Sequence, residues 1–222
     1  LPAGVPAAVS AGLWIGAGEG FAIASHQFVT TDARNEWGYR GWFRSMAVGS
    51  TAGGVAGAAL GWNLRPAPST SAMVGSGAAW GGAIGSMFGY GLSSTGRNDA
   101  ASTGGLIGYN VGLAAAGALG VAFTPSWGDL TDMWTYGALG AALSSPVFLL
   151  YAGKGGPPAR RGFVFMGAAT TLGVGLGALL ADGASGSGSA SVSPRYQLAH
   201  VDALVPWVGN GVTGVAAIGT LQ

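Results

Sequence analysis

The chain has 222 residues, 8% of them charged and 49% hydrophobic, with 44 glycines, no cysteine and a formal net charge of +1. Soluble domains carry about 25% charged residues, so a chain this poor in charge has little polar surface to keep it dispersed in water. The near-neutral balance excludes the basic footprint of a nucleic-acid binder, and the lack of cysteine excludes disulfides, thiolate metal sites and cysteine nucleophiles. Eight Trp, eight Phe and six Tyr set it apart from a flexible Gly/Ala chain, because disordered segments are poor in aromatics. An integral membrane protein is expected.

The opening residues, Leu1 to Pro6, lack a signal-peptide shape. A leader has been removed, or the sequence starts inside a longer chain. Six apolar segments follow at 11–30, 41–64, 71–92, 104–123, 131–152 and 161–182. The stretches between them collect the Pro, Gly, Asn, Asp and Ser residues of turns. A Gly/Ser run at 184–193 reads as a linker. The apolar pair of runs at 196–222, divided by Gly209-Asn210-Gly211, reads as a hairpin. The expected organisation is 1–183 as six membrane segments, 184–195 as linker and 196–222 as a terminal β-hairpin.

The first segment carries Glu19 inside a "GAGEG" run, and Trp37, Tyr39, Trp42 and Phe43 cluster near the polar turn that leads into the second. Those four aromatics fit an interfacial girdle, although local packing at a polar turn explains them equally well. In the third and fourth segments glycine recurs every fourth residue: Gly77, Gly81, Gly85 and Gly89, then Gly104, Gly108 and Gly112. Such spacing lets helices approach closely in lipid. Arg34, Arg40, Arg44, Arg97, Lys154, Arg160 and Arg161 would share one side of a six-helix bundle, with Arg65 and Arg195 opposite, as the positive-inside rule expects.

The same glycines also satisfy a period of two. In 104–123 the odd positions hold Ile107, Tyr109, Val111, Leu113, Leu119, Val121 and Phe123, while the even ones are nearly all Gly or Ala. The segments at 42–64, 73–92 and 163–181 repeat the contrast. A strand puts such residues on one face, whereas a helix scatters them around its circumference. This alternation predicts an all-β transmembrane antiparallel barrel of about eight strands. The alternative is an all-α six-helix glycine-zipper membrane bundle. Segment 131–152, with Leu139, Leu143 and Val147 four apart, and Glu19, aimed at lipid in a barrel, argue for the alternative.

No catalytic constellation emerges. His26 and His200 lack partners at ligand spacing. Asp129 and Asp132 fit helix capping or turns better than acid–base work. "GAGEG" and "GKGG" (153–156) lack the remainder of a phosphate loop. No cofactor or metal is expected, nor an enzyme. Glu19 and Asn110 are the polar residues that stand out on apolar segments, where such groups are functional candidates. A local hydrogen-bond role suits Asn110 as well.

The stretches "GAAWGG" (77–82), "GYNVGL" (108–113) and "GDLTDMWTYGALGAAL" (128–143) resemble Gly/Ala-rich membrane-type proteins of myxobacteria and related Gram-negative bacteria. The resemblance covers about half the chain. It implies an envelope location and transfers no activity. By pattern alone the chain is also similar to small outer-membrane barrels. The expected role is structural or passage-forming in the outer membrane, with lipid, an oligomer or other envelope proteins as partners and no nucleic acid. Two alternatives stand beside it: a helical transporter component or scaffold of an inner membrane, and a structural subunit of a larger envelope assembly.

Overall fold

A computed structural model describes residues 4–30, 34–94, 98–151, 158–185, 200–209 and 212–220, with side chains at 4–29, 39–94, 98–151 and 158–180. The expected barrel does not form. Among the described residues the chain forms an all-α bundle of six helices: α1 (Gly4–Thr30), α2 (Arg34–Leu64), α3 (Pro68–Leu92), α4 (Asn98–Ala122), α5 (Trp127–Ser144) and α6 (Gly162–Ser185). Short 3-10 turns at Ser145–Tyr151 and Ala159–Arg161 flank the connection between α5 and α6. After the bundle, β1 (His200–Gly209) pairs antiparallel with β2 (Val212–Thr220), with an irregularity between Val201 and Ala203, and closes no barrel. Asn210 and Gly211 of the expected turn, and the Gly/Ser run from 186 onward, lie outside the described residues.

Local chemistry sets the helix ends. α2 stops at Arg65, whose φ of 48° is left-handed and whose N–H still reaches Gly61 O at 3.1 Å. Pro66 follows, and proline disfavours helical geometry in the residue before it. Pro68 then starts α3 at a position where its missing N–H costs nothing. Ser126 caps α5: its hydroxyl accepts from Asp129 N at 3.2 Å, while the Asp129 carboxylate accepts from Ser126 N at 2.8 Å. This reciprocal pair satisfies two N–H groups that a helix start leaves open.

Three antiparallel hairpins result, each joined along a stripe of small residues. Gly77, Gly81, Gly85 and Gly89 of α3 lie on the backbone of Gly112, Gly108, Gly104 and Ala100 of α4. Each step of four along one helix is matched by a step of four back along the other. Gly12, Gly16 and Gly20 of α1 meet Gly53, Gly49 and Ser45 of α2 in the same manner. Gly140 of α5 meets Ala169 of α6, and Gly173 of α6 meets Tyr136 of α5. The hairpins then pack through side chains: Trp80 of α3 covers Gly137, and Met87 and Phe88 cover Gly167.

This packing explains why alternation pointed to the wrong fold. An i, i+4 glycine row lies along one side of a helix, yet every member shares the same parity. The large residues need occupy no single face, because lipid accepts them anywhere outside the glycine row. Ile107, Val111 and Val121 of α4 accordingly point outward, at 59%, 61% and 88% exposure. Buried positions are held mostly by small residues such as Ala24, Ala78 and Ala116. The bundle is large outside and small within, the reverse of a water-soluble core. Four stretches, Gly4–Val29, Asn98–Ala122, Trp127–Tyr151 and Ala159–Leu180, are long and apolar enough to cross a membrane. They point to a helical membrane protein; nothing in the bundle supports an outer-membrane barrel.

Candidate functional site at the seam between α1 and α4

The first and second hairpins meet where α1 runs antiparallel to α4, and this seam is polar. Ile15, Glu19 and His26 lie on one face of α1, four and seven residues apart. Ser102 and Thr103, near the start of α4, face His26, and Tyr109 and Asn110, at its middle, face Ile15 and Glu19.

Glu19 and Asn110, separate candidates in the sequence, are brought together. Asn110 Nδ2 donates to Glu19 Oε1 at 3.2 Å and Oε2 at 3.1 Å, and to Leu106 O of its own helix at 3.0 Å. One N–H of the amide therefore anchors it to α4, leaving the other to be shared by both carboxylate oxygens. Asn110 has twelve residues of α4 on either side, and Glu19 has fifteen residues of α1 before it and eleven after. At about 1.5 Å per residue, the pair sits close to the middle of both helices. Glu19 is half-buried and Asn110 exposed, so the carboxylate lies at the bundle's outer edge.

Next to the pair, Tyr109 Oη donates to Ile15 O at 2.8 Å. Its ring lies over Gly18, where a Cβ would come 2.9 Å from Cζ. The "GAGEG" run is thus mid-helix rather than a loop. Gly16 and Gly20 seat α2, Gly18 admits the tyrosine, and Glu19 projects between them. About 10 Å further along, His26 Nδ1 lies 3.4 Å from both Ser102 Oγ and Thr103 Oγ1. Those hydroxyls also donate to Asp99 O at 2.9 and 2.8 Å. The polar seam therefore runs from the His26 end of α1 to the helix centre.

In the sequence His26 shows no partner at ligand spacing, and Tyr109 is one more large residue at the odd positions of 104–123. The pairing of 15 and 19 with 109 and 110, and of 26 with 102–103, arises only once α1 and α4 lie side by side. Of the aromatic group, Tyr39 and Phe43 are exposed at 73% and 72%, and Trp42 packs against Phe21, Phe28 and Tyr39 with ring centroids 5.3–5.7 Å apart. The side chain of Trp37 lies outside the described residues. Ser25 Oγ and Trp42 Nε1 are buried at this end without a hydrogen-bond partner among the described residues. Among the described residues no three His, Asp or Glu side chains gather at metal-binding distance.

No protein-family model, curated protein or solved structure matches the chain.

Proposed function

We propose that the chain is a non-enzymatic, ion-coupled transporter component in which Glu19 is the ion- or proton-binding group. The observation that carries this is a carboxylate at mid-helix depth, held by Asn110, at the inner end of a polar seam. Acidic side chains are costly inside a bilayer and are characteristic of ion pathways and relays. A helix-joining role alone would need only an amide or a hydroxyl.

The packing supports six crossings. α2 is zipped to α1 and α3 to α4 along their glycine rows, so each shares the depth of its partner. Arg40, Arg44, Arg160 and Arg161 then fall on one side, together with the His26 end of the seam. Arg34 begins α2 on that same side, and Arg97 and Lys154 lie outside the described residues. Arg65 falls on the other. By the positive-inside rule the seam opens to the cytoplasm, and an inner membrane is the reading that fits. Lipid is the expected partner and nucleic acid is not.

Reconstitution into vesicles holding a pH-sensitive dye, under an imposed potential, tests the proposal. Wild-type protein is expected to pass protons and Glu19→Gln to fall to the rate of empty vesicles. Equal flux in the two proteins, or none in the wild type, would sink the transport reading. The second reading, a scaffold, is favoured by the close-packed hairpins and would then take its place.

A further inference from the structure

The second and third hairpins meet on the arginine-bearing side, between the end of α3 and the start of α6. A cleft of about 500 Å³ opens there. Arg160 forms its back wall, with Nε donating to Ser93 O and Nη2 to Ser94 O, both at 2.8 Å. Those contacts neutralise the electron-rich carbonyl end of α3 and hold the guanidinium in one orientation. Among the described residues Nη1 has no acceptor. The neighbouring Arg161 is exposed, and its side chain has no partner among the described residues.

Among the described residues no carboxylate lines the cleft, whereas Tyr151 adds a hydroxyl. The lower lip is apolar, with Leu92 and Phe165 exposed at 71% and 55%. Two guanidinium groups at helix ends, above greasy side chains facing the bilayer, complement a molecule with an anionic head and a hydrocarbon body. We infer that this cleft binds the phosphate headgroup of an anionic membrane phospholipid. Arg161 and the free edge of Arg160 take the phosphate, and Leu92 and Phe165 seat the first acyl carbons. Guanidinium geometry suits phosphate oxygens in pairs, and basic pockets between membrane helices on the cytoplasmic side hold such headgroups. The inference rests on the membrane reading but not on Glu19.

The test is native mass spectrometry of the full chain in mild detergent, offered equal amounts of phosphatidylglycerol and phosphatidylcholine. The wild type should retain the anionic lipid preferentially. Arg161→Gln should reduce that preference about tenfold, the equivalent of one charge-assisted contact, and Arg161→Lys should restore part of it. Arg161 is the residue to change because Arg160 also caps α3. Equal retention of both lipids, or an unchanged preference in Arg161→Gln, overturns the inference. So does displacement of the lipid by millimolar inorganic phosphate, which would mark a free-anion site instead. Glu19→Gln should keep the lipid preference whatever becomes of its proton flux, so the two proposals fail separately.

Discussion

Helix α4 carries two seams of opposite character. Towards α3 it presents Gly104, Gly108, Gly112 and Ala116, and backbone meets backbone. Towards α1 it presents Ser102, Thr103, Tyr109 and Asn110, and side chains span the gap through hydrogen bonds. Along the Gly/Ala row of the first seam no side chain can change rotamer, so the row can only hold or come apart. The second is made of groups that can exchange partners, and it holds the chain's mid-helix carboxylate. Lipid offers no hydrophobic drive for helix association, leaving close packing and polar contacts to do it. Here one helix uses each means on a different face: rigidity within hairpins, adaptability between them.

The largest expected effect comes from placing a side chain in the rigid seam. A Cβ at Gly108 would lie 2.9 Å from Gly85 Cα and press on Gly81 O. Neither neighbour can move without its helix. Gly108→Leu should therefore cost at least about 3 kcal/mol, the upper range for overpacking, read as loss of folded protein in denaturant titration of the detergent-solubilised chain. Wild-type stability would refute backbone contact at this seam.

A covalent bond tests the register of the same seam from the other direction. A Cβ on Gly105 lies 3.7 Å from Ser86 Cβ, within the span of about 3.5–4.5 Å that a disulfide requires. Because the chain has no native cysteine, Ser86→Cys with Gly105→Cys is an unambiguous pair. Mild oxidation should lock α3 to α4 and add about 2–4 kcal/mol of stability, seen as a mobility shift on non-reducing gels. Equal cross-linking of Ser86→Cys with Leu106→Cys would mean that the register is wrong.

These seams also show what could be read from the sequence and what could not. Membrane character was legible because it rests on composition: a scarcity of charge and an excess of large apolar residues cannot be rearranged by folding. The choice between helix and strand was not, since Gly77 to Gly89 and Gly104 to Gly112 satisfy periods of four and two at once. The residues that should have broken the tie, Ile107, Val111 and Val121, face outward, where lipid imposes no pattern. Segment 131–152 and Glu19 gave the better guidance. The former becomes α5 running into a 3-10 turn at Pro146, and the latter is hydrogen-bonded between helices. Glu19 and Asn110 each stood out alone, but their pairing depends on the antiparallel packing of α1 on α4, which no local pattern encodes.

In the adaptable seam, substitutions should have smaller structural effects. Tyr109→Phe removes the donor to Ile15 O, and Asn110→Leu removes the partner of Glu19. Interhelical hydrogen bonds in membranes average about 0.6 kcal/mol and reach about 1.7, so each should cost within that range. Glu19→Gln retains an acceptor for Asn110 and should change stability by no more than about 0.5 kcal/mol. If Glu19→Gln instead unfolds the chain as Gly108→Leu does, the carboxylate belongs to the framework and the contrast between the seams fails.

The smallest effect separates the position of glycine from its abundance. Gly112 and Gly117 occupy the same helix. A methyl at Gly112 would lie 2.9 Å from Gly81 Cα, whereas one at Gly117 has nothing within 4 Å. Alanine at Gly117 should be neutral or stabilising by up to about 1 kcal/mol, the ordinary gain in helix propensity. Alanine at Gly112 must push α3 away and should be clearly destabilising. Were glycine needed for flexibility along the whole helix, both changes would harm the protein alike, because both remove the same backbone freedom. A difference between them, measured as midpoints of thermal unfolding in one detergent, ties the requirement to the face that meets α3.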